Sequence, residues 1–156
     1  MFAGFDPAGS TNFGVAILSM AGNVLIDAPL TWSDSSSGWR GQDLFLRRTY
    51  SQIANRILAT NSLYGSVVVQ GPALGLRLKQ QFSQAAITET HPKATLIAIG
   101  APISMINQAA DNITLLANWF FNLIGITPIP LNNDNELDAL VSAYVAWAGF
   151  TGQLNW

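Results

Sequence analysis

The segment Val24–Ile26 constrains the fold of this chain more than any other. Its three residues are all apolar, and such a continuous run is typical of a β-strand that is buried on both faces. The apolar residues of 2–6 and 13–19 predict two further strands, joined by a turn rich in Pro, Gly, Ser and Asn. A strand covered on both faces requires packed layers on each side of its sheet.

Segments with helical periodicity follow these strands. Apolar residues recur at helical spacing over residues 42–58 and 113–124, and Pro72 and Pro92 stand in helix-opening positions. Residues 85–90 predict a short strand between the helices that begin at these prolines. Strands that alternate with helices predict an α/β or α+β fold with a partly parallel sheet, in a single domain of residues 1–156.

The segment 133–149 predicts the clearest helix of the chain. Asn133 is placed to cap its N-terminus, with Glu136 three residues later in a capping-box arrangement. Apolar residues then repeat along one face of the helix. Asp134 and Asp138 lie one turn apart at the edge of that face, so Asp138 borders the core rather than the open solvent side.

The low charge of the chain limits its partners. Charged residues make up 10% of the 156 residues, hydrophobic residues make up 49%, and the net charge is −2. Nucleic acid is therefore a candidate partner only through a local basic patch or through metal ions. The absence of Cys excludes disulfides and thiolate metal sites. The lack of a signal-peptide pattern or an apolar run of about 18 residues predicts a cytoplasmic protein without a membrane span.

Acidic residues stand near the ends of three predicted strands and on the last predicted helix. Asp6 ends the first strand, Asp27 follows Val24–Ile26, and Glu89 stands near the end of the strand at 85–90. The carboxyl ends of strands are where open α/β sheets place their ligands. Converging carboxylates repel one another unless a cation holds them, and their hard oxygens suit Mg²⁺ or Mn²⁺. The candidate catalytic acids are Asp6, Asp27, Glu89 and Asp138, and the candidate metal ligands are Asp6, Asp27 and Asp138.

Four ordered segments resemble the predicted RNase H-like nuclease family known as the domain of unknown function numbered 429. They are GFDPAGSTNFGVAIL, IDAPLTW with GWRGQDLFLRR soon after it, ETHPKATL, and the closing ELDALVSAYVAW. The resemblance spans nearly the whole chain and implies an RNase H-like mixed sheet flanked by helices. It implies that Asp6 on the first strand, Asp27 on the strand beside it and Asp138 on the last helix gather at the centre. It also matches Arg40 and Asp43 to an Arg-x-x-Asp motif and Glu89 and His91 to a Glu-x-His-Pro motif.

One departure from the family pattern predicts a shortened fold. Family members usually have a further strand and a helix before the Ile-Asp-Ala-Pro strand, whereas here four residues, 20–23, separate it from the second strand. A crossover between parallel strands needs a dozen or more residues, so the third strand is expected to form a hairpin with the second. Asp27 would then lie about 10 Å from Asp6, too far for one metal. Either the chain is a shortened variant with an altered site, or a segment is absent from it.

Three residues are candidates for binding a substrate, and each has a simpler structural interpretation. Arg40 and Arg47 could hold a phosphate, or they could belong to a solvated helix face. His91 could bind a metal or transfer a proton, or it could cap the helix that begins at Pro92.

Three functions remain open on the sequence. The first is a metal-dependent nuclease or phosphodiesterase, in which metal ions activate water and stabilise the leaving oxygen. The second is a non-catalytic RNase H-like module that binds a partner. The third is a kinase-like or ATPase-like phosphate-binding domain, because Asp-x-x-Gly-Ser-Thr-Asn after a strand resembles the first phosphate loop of sugar kinases and actin-like ATPases. The consecutive aromatic residues 119–121 further predict a homodimer that buries them.

Overall fold

The computed structural model describes residues 2–7, 13–19, 24–62, 66–108 and 113–153. These residues form a mixed α/β structure. Its strands are β1 (Phe2–Pro7), β2 (Phe13–Ser19), β3 (Val24–Ile26) and β4 (Ile87–Glu89). Its α-helices are α1 (Gly41–Thr49), α2 (Ser66–Gln81), α3 (Pro92–Ala98), α4 (Ile103–Gln108), α5 (Ile113–Ile124) and α6 (Asp134–Phe150). None of the helices in the described ranges is long and apolar enough to span a membrane.

The described strands form one sheet in the order β2-β1-β3-β4. β2 pairs with β1 in antiparallel orientation, whereas β3 is parallel to both β1 and β4. In the register of β1 and β3, Gly4 lies beside Leu25 and Phe5 lies beside Ile26. The backbone N–H of Asp27 donates to the carbonyl of Phe5 at 2.8 Å, which extends this pairing one residue beyond β3.

The position of β3 corrects the predicted hairpin with β2. β3 lies on the other side of β1, parallel to β1 and therefore antiparallel to β2. Because β2 ends opposite Phe2 and β3 begins opposite Ala3, both strand ends lie at the same edge of the sheet. The four residues between them need to span only two strand spacings, about 10 Å. The minimum of about a dozen residues applies to a connection between parallel strands, whereas β2 and β3 are antiparallel. A short connection is therefore compatible with β3 beside β1 and with Asp27 beside Asp6.

Helix α6 packs directly on the face of the sheet that carries two glycines. A Cβ atom on Gly4 would lie 1.9 Å from the carbonyl oxygen of Ala139, and one on Gly14 would lie 2.1 Å from that of Asn135. Gly14 pairs with Asp6 across β1 and β2, and side chains two residues apart on a strand share a face. Gly4, Asp6 and Gly14 therefore all face α6, and the two glycines allow the helix to approach the backbone of the sheet.

The opposite face of the sheet packs against α2. Phe5, Val24 and Ile26 lie on that face, where Val24 and Ile26 are fully buried. They form an apolar cluster with Leu74 and Leu78 of α2. The prediction that β3 is covered on both faces is therefore confirmed, with α6 on one side and α2 on the other.

Two predicted helices differ from the structure. The helix predicted over residues 42–58 ends at Thr49, and a 3₁₀ segment, Ser51–Arg56, follows it with a break in helical geometry at Ile53. Pro72 lies inside α2 rather than at its start, because the helix already begins at Ser66. Gly71 packs so closely on the loop after β3 that a Cβ there would lie 2.3 Å from the carbonyl oxygen of Pro29. Tertiary packing at this point overrides the helix-breaking tendency of proline.

The consecutive aromatic residues of α5 belong to the core. Phe120 and Phe121 are 0% and 1% exposed, and Trp119 packs against the same cluster. The ring of Phe120 meets that of Tyr144 edge-on at a centroid distance of 5.5 Å. The prediction that residues 119–121 form a homodimer surface is therefore wrong for both phenylalanines, because α5 buries two neighbouring faces between α4, α6 and the segment after α1. The homodimer itself stays a prediction.

Candidate metal centre

Three carboxylates converge at the edge of the sheet where β1 and β3 end. The register of the parallel strands β1 and β3, continued by one residue, places Asp27 beside Asp6. Asp138 reaches both from the second turn of α6. One oxygen from each of the three lies within 4.8 Å of the other two. Asp6 and Asp138 are only 6% and 4% exposed, whereas Asp27 is partly exposed. The structure thus brings together three of the four predicted acids.

Lys93, in the first turn of α3, neutralises part of this cluster. Its ammonium donates to Oδ2 of Asp138 and lies 4.0 Å from Oδ2 of Asp134. The Lys93 side chain is itself only 18% exposed. Sequence reasoning missed this residue, although a signal was present: a cation in the first turn of a helix opposes the helix dipole and therefore indicates a specific acidic partner.

The crowded carboxylates hold protons more tightly than usual. Burial, together with the charge of Asp138, raises the pKa of Asp6 from 3.8 to about 7, and Lys93 offsets part of this rise. Burial and the neighbouring acids raise the pKa of Asp27 well above its ordinary value. Burial also raises the pKa of Asp138, against the opposing effect of Lys93. Without a further cation, the cluster is therefore electrostatically unfavourable when it is fully ionised.

No protein-family model, curated protein or solved structure matches this chain.

Glu89 does not join the acid cluster. It pairs with Ile26 across β3 and β4, which places its side chain on the sheet face opposite Asp6. Its Oε1 accepts hydrogen bonds from Nη1 of Arg40 at 2.7 Å and from the backbone N–H of Leu30 at 2.6 Å. Glu89 therefore anchors the loop that follows β3.

Arg40 joins the two sequence motifs that the family resemblance singled out. Its guanidinium binds Asp43 through Nε and Nη2, at 3.1 and 2.8 Å, and Glu89 through Nη1. Asp43 also accepts a 2.6 Å hydrogen bond from the Thr60 hydroxyl. Burial raises the pKa of Asp43, but the hydrogen bonds from Arg40 and Thr60 outweigh it and lower the pKa below its ordinary value. The network ties the loop after β3 to α1 and to the end of β4.

The other two predicted substrate-binding residues also make internal contacts. Arg47 Nη1 donates to the backbone carbonyls of Ala54 and Ile57, and its guanidinium lies 4.8 Å from the ring centre of Trp39. His91 Nδ1 accepts a 3.4 Å hydrogen bond from the backbone N–H of Ala94, which confirms its capping role at the start of α3. Burial, with the nearby charge of Lys93, lowers the pKa of His91.

A cleft of about 1160 Å³ opens beside the cluster. Asp27 and Asp138 line it, together with Lys93, His91, Arg40 and Arg56. Within the described ranges Arg56 forms no ion pair, although its charge lowers the pKa of Asp138. Arg47 holds the carbonyls of residues 54 and 57, on either side of Arg56. Arg56 is thus a cation that lines the cleft on a backbone segment held by Arg47, and its position between Asn55 and Ile57 carried no sequence signal for this role.

The donor set of the cluster fits a hard divalent cation. All three side chains offer carboxylate oxygens, which Mg²⁺ and Mn²⁺ prefer. One oxygen from each carboxylate already lies within 4.8 Å of the other two, so the three acids are close enough to converge on one such ion. Asp138 shares one oxygen with Lys93 and keeps Oδ1 for a metal. Asp6, Asp27 and Asp138 are therefore the residues that could hold the ion.

Proposed function

We propose that this chain is a metal-dependent phosphodiesterase, with nucleic acid as its substrate class, built on an RNase H-like fold. The observation that carries the proposal is the meeting of Asp6, Asp27 and Asp138 within 4.8 Å beside an open cleft that Asp27 and Asp138 line. The acids at the end of β1, after the neighbouring strand β3 and on α6 are the three that the family resemblance implies at the centre, and their meeting supports the proposal. Bound Mg²⁺ or Mn²⁺ would supply Lewis-acid charge to activate water and stabilise the leaving oxygen of a phosphodiester.

The three carboxylates divide their roles by position. Asp6 and Asp138 are nearly inaccessible, so they serve to hold the ion and set its place against the sheet. Asp27 and Asp138 both line the cleft, but Asp27 is the more exposed of the two and is therefore the acid more accessible to an incoming substrate. The backbone of α6 packs directly against Gly4 and Gly14, and this contact fixes the position of Asp138 relative to the sheet.

Arg56 provides the complementary charge for the substrate. A phosphodiester is an anion, and the carboxylates would repel it from the cleft unless a fixed cation compensated for them. Arg56 faces the cleft without an ion pair in the described part of the chain, whereas the guanidinium of Arg40 is already bound to Asp43 and Glu89. Arg56 is therefore the group on this surface best placed to bind a phosphate oxygen.

A non-catalytic binding module is the second candidate function, and one observation favours it. The ion pair between Lys93 and Asp138 supplies a positive charge to the cluster from the protein itself. If that charge sufficed, the acids would need no metal, and the cleft would serve only to bind a partner. The kinase-like alternative depends on a phosphate loop at residues 8–12, which lie outside the described residues.

We expect Asp6→Asn and Asp138→Asn each to lower Mn²⁺-dependent cleavage of single-stranded or branched nucleic acid by about 100-fold or more. Each change removes one negative ligand while preserving the shape of the side chain. Cleavage is measured with Mn²⁺ and Mg²⁺, and Mn²⁺ binding is measured in parallel by calorimetry. Asp34→Asn is the matched control, because Asp34 is exposed and lies outside the cluster.

The outcomes separate the two functions. Loss of both Mn²⁺ binding and cleavage in the two cluster variants, with Asp34→Asn unchanged, supports the phosphodiesterase. Wild-type protein that binds no Mn²⁺ and cleaves neither DNA nor RNA would overturn it and leave the binding module. Mn²⁺ binding without cleavage of any nucleic acid would reject the substrate class alone.

A further inference from the structure

Lys93 is a built-in cation of the carboxylate cluster. Its ammonium contacts Asp138 and also lies 4.0 Å from Asp134, one turn earlier on α6. With an exposed fraction of 18%, the side chain is largely enclosed by the cluster and its surroundings. It differs in this respect from Lys79, which is exposed and whose ammonium donates to the backbone carbonyl of Ala85.

The position of the ammonium is set by packing around the start of α3. Pro92 is buried at the first position of the helix, and the His91 side chain caps the same turn. Ala94 and Leu96 of α3 belong to the apolar core that includes α6. Because both ends of the ion pair sit on packed helices, Lys93 is held beside Asp138 by the fold.

The charge count of the cluster matches one divalent ion. When ionised, Asp6, Asp27 and Asp138 carry three negative charges, and Lys93 cancels one of them. The remaining two charges equal the charge of a single Mg²⁺ or Mn²⁺. Two divalent ions together would place four positive charges beside the ammonium, and the further acid that lies near it, Asp134, would offset only one of them. Like charges at such distances repel strongly in a partly buried site.

The carboxylate oxygens of the cluster also favour a single divalent ion. Lys93 donates to Oδ2 of Asp138, so an ion bound at that oxygen would lie beside the ammonium and be repelled by it. Mg²⁺ binds through one or two carboxylates and retains several waters, so the oxygens left on the three acids suffice for one ion. We propose that Lys93 takes the place of a second metal and makes the cluster a site for a single divalent cation. This inference rests on the proposed function.

Mn²⁺ stoichiometry tests the proposal without any measurement of activity. Isothermal titration calorimetry and electron paramagnetic resonance are used to count the Mn²⁺ ions bound by wild-type protein and by Lys93→Met, which keeps an apolar stem but removes the charge. We expect one ion per wild-type chain and two per Lys93→Met chain, with the first ion bound about tenfold more tightly in the variant. Lys93→Arg, which keeps the charge, and Lys79→Met, which removes an exposed charge, are expected to bind one ion.

Each outcome decides a different point. Two ions bound to wild-type protein, or one ion bound with equal affinity to wild type and Lys93→Met, would overturn the role of Lys93 and leave the proposed metal site intact. No Mn²⁺ bound to wild-type protein would overturn the proposed function, and the single-ion site with it. If Lys93→Met does not fold without metal, the wild-type count decides by itself, since two ions per chain contradict the proposal.

Discussion

Replacement of Gly4 by alanine is expected to lower the free energy of unfolding by about 4 kcal/mol or more. The new Cβ would lie 1.9 Å from the carbonyl oxygen of Ala139 and 2.5 Å from the backbone nitrogen of Ala143. Both are backbone atoms in the middle of α6, so no change of rotamer relieves the contact and the helix must move away from β1. Urea denaturation followed by circular dichroism measures the effect.

Gly41→Ala is the matched control for this prediction. A Cβ at Gly41 would meet no atom within 4 Å, and the residue lies at the start of α1. Alanine there is expected to leave stability unchanged or slightly higher, because it favours the helix. Equal stability of Gly4→Ala and wild type would show that α6 does not pack on the sheet as described. Asp138 belongs to the same helix. Because displacement of α6 would move this carboxylate away from the other two, Gly4→Ala is also expected to weaken Mn²⁺ binding.

Deprotonation of Asp6 is expected to make the metal-free protein less stable as the pH rises from about 4 to about 7. Burial, with the charge of Asp138, raises the pKa of Asp6 in the folded state to about 7, against 3.8 as the ordinary value. The folded state therefore binds this proton more tightly than the unfolded state. The resulting stabilisation is complete below the unfolded pKa and is lost as the pH rises through the folded pKa.

Comparison with Asp6→Asn shows the effect of removing this one titrating group from the cluster. At pH 4 the variant and wild type are expected to have equal stability, whereas at pH 8 the variant is expected to be more stable by up to about 4 kcal/mol. Thermal unfolding in a chelator at a series of pH values measures the difference. Asp34→Asn, which changes an exposed residue and keeps Asp6, is the control and should lose stability with rising pH as the wild type does. A variant less stable than wild type at pH 8 would mean that the Asp6 carboxylate forms a stabilising contact rather than a repulsive one.

Local pattern predicted most of the elements that build the candidate site. The bounds of β2 and β3 agree with the sequence prediction, and β1 extends one residue further, to Pro7. The capping of α6 by Asn133 and the burial of Asp138 also agree with it. Periodicity and capping depend on residues within about four positions of one another, so a single segment contains the information. The same local information placed Asp6 and Asp27 at the carboxyl ends of their strands.

The pairing of distant segments was decided only by the tertiary structure. The sequence predicted that Asp27 lies about 10 Å from Asp6. Because β3 pairs directly with β1, the two carboxylates instead lie within 4.8 Å of each other. Lys93 meets Asp138 across 45 positions of the chain, and Arg40 meets Glu89 across 49. Local patterns determine which face of an element is apolar, but not which other element covers that face. That choice depends on the packing of the whole chain, including the close approach of α6 to Gly4 and Gly14 that carries Asp138 to the other two acids.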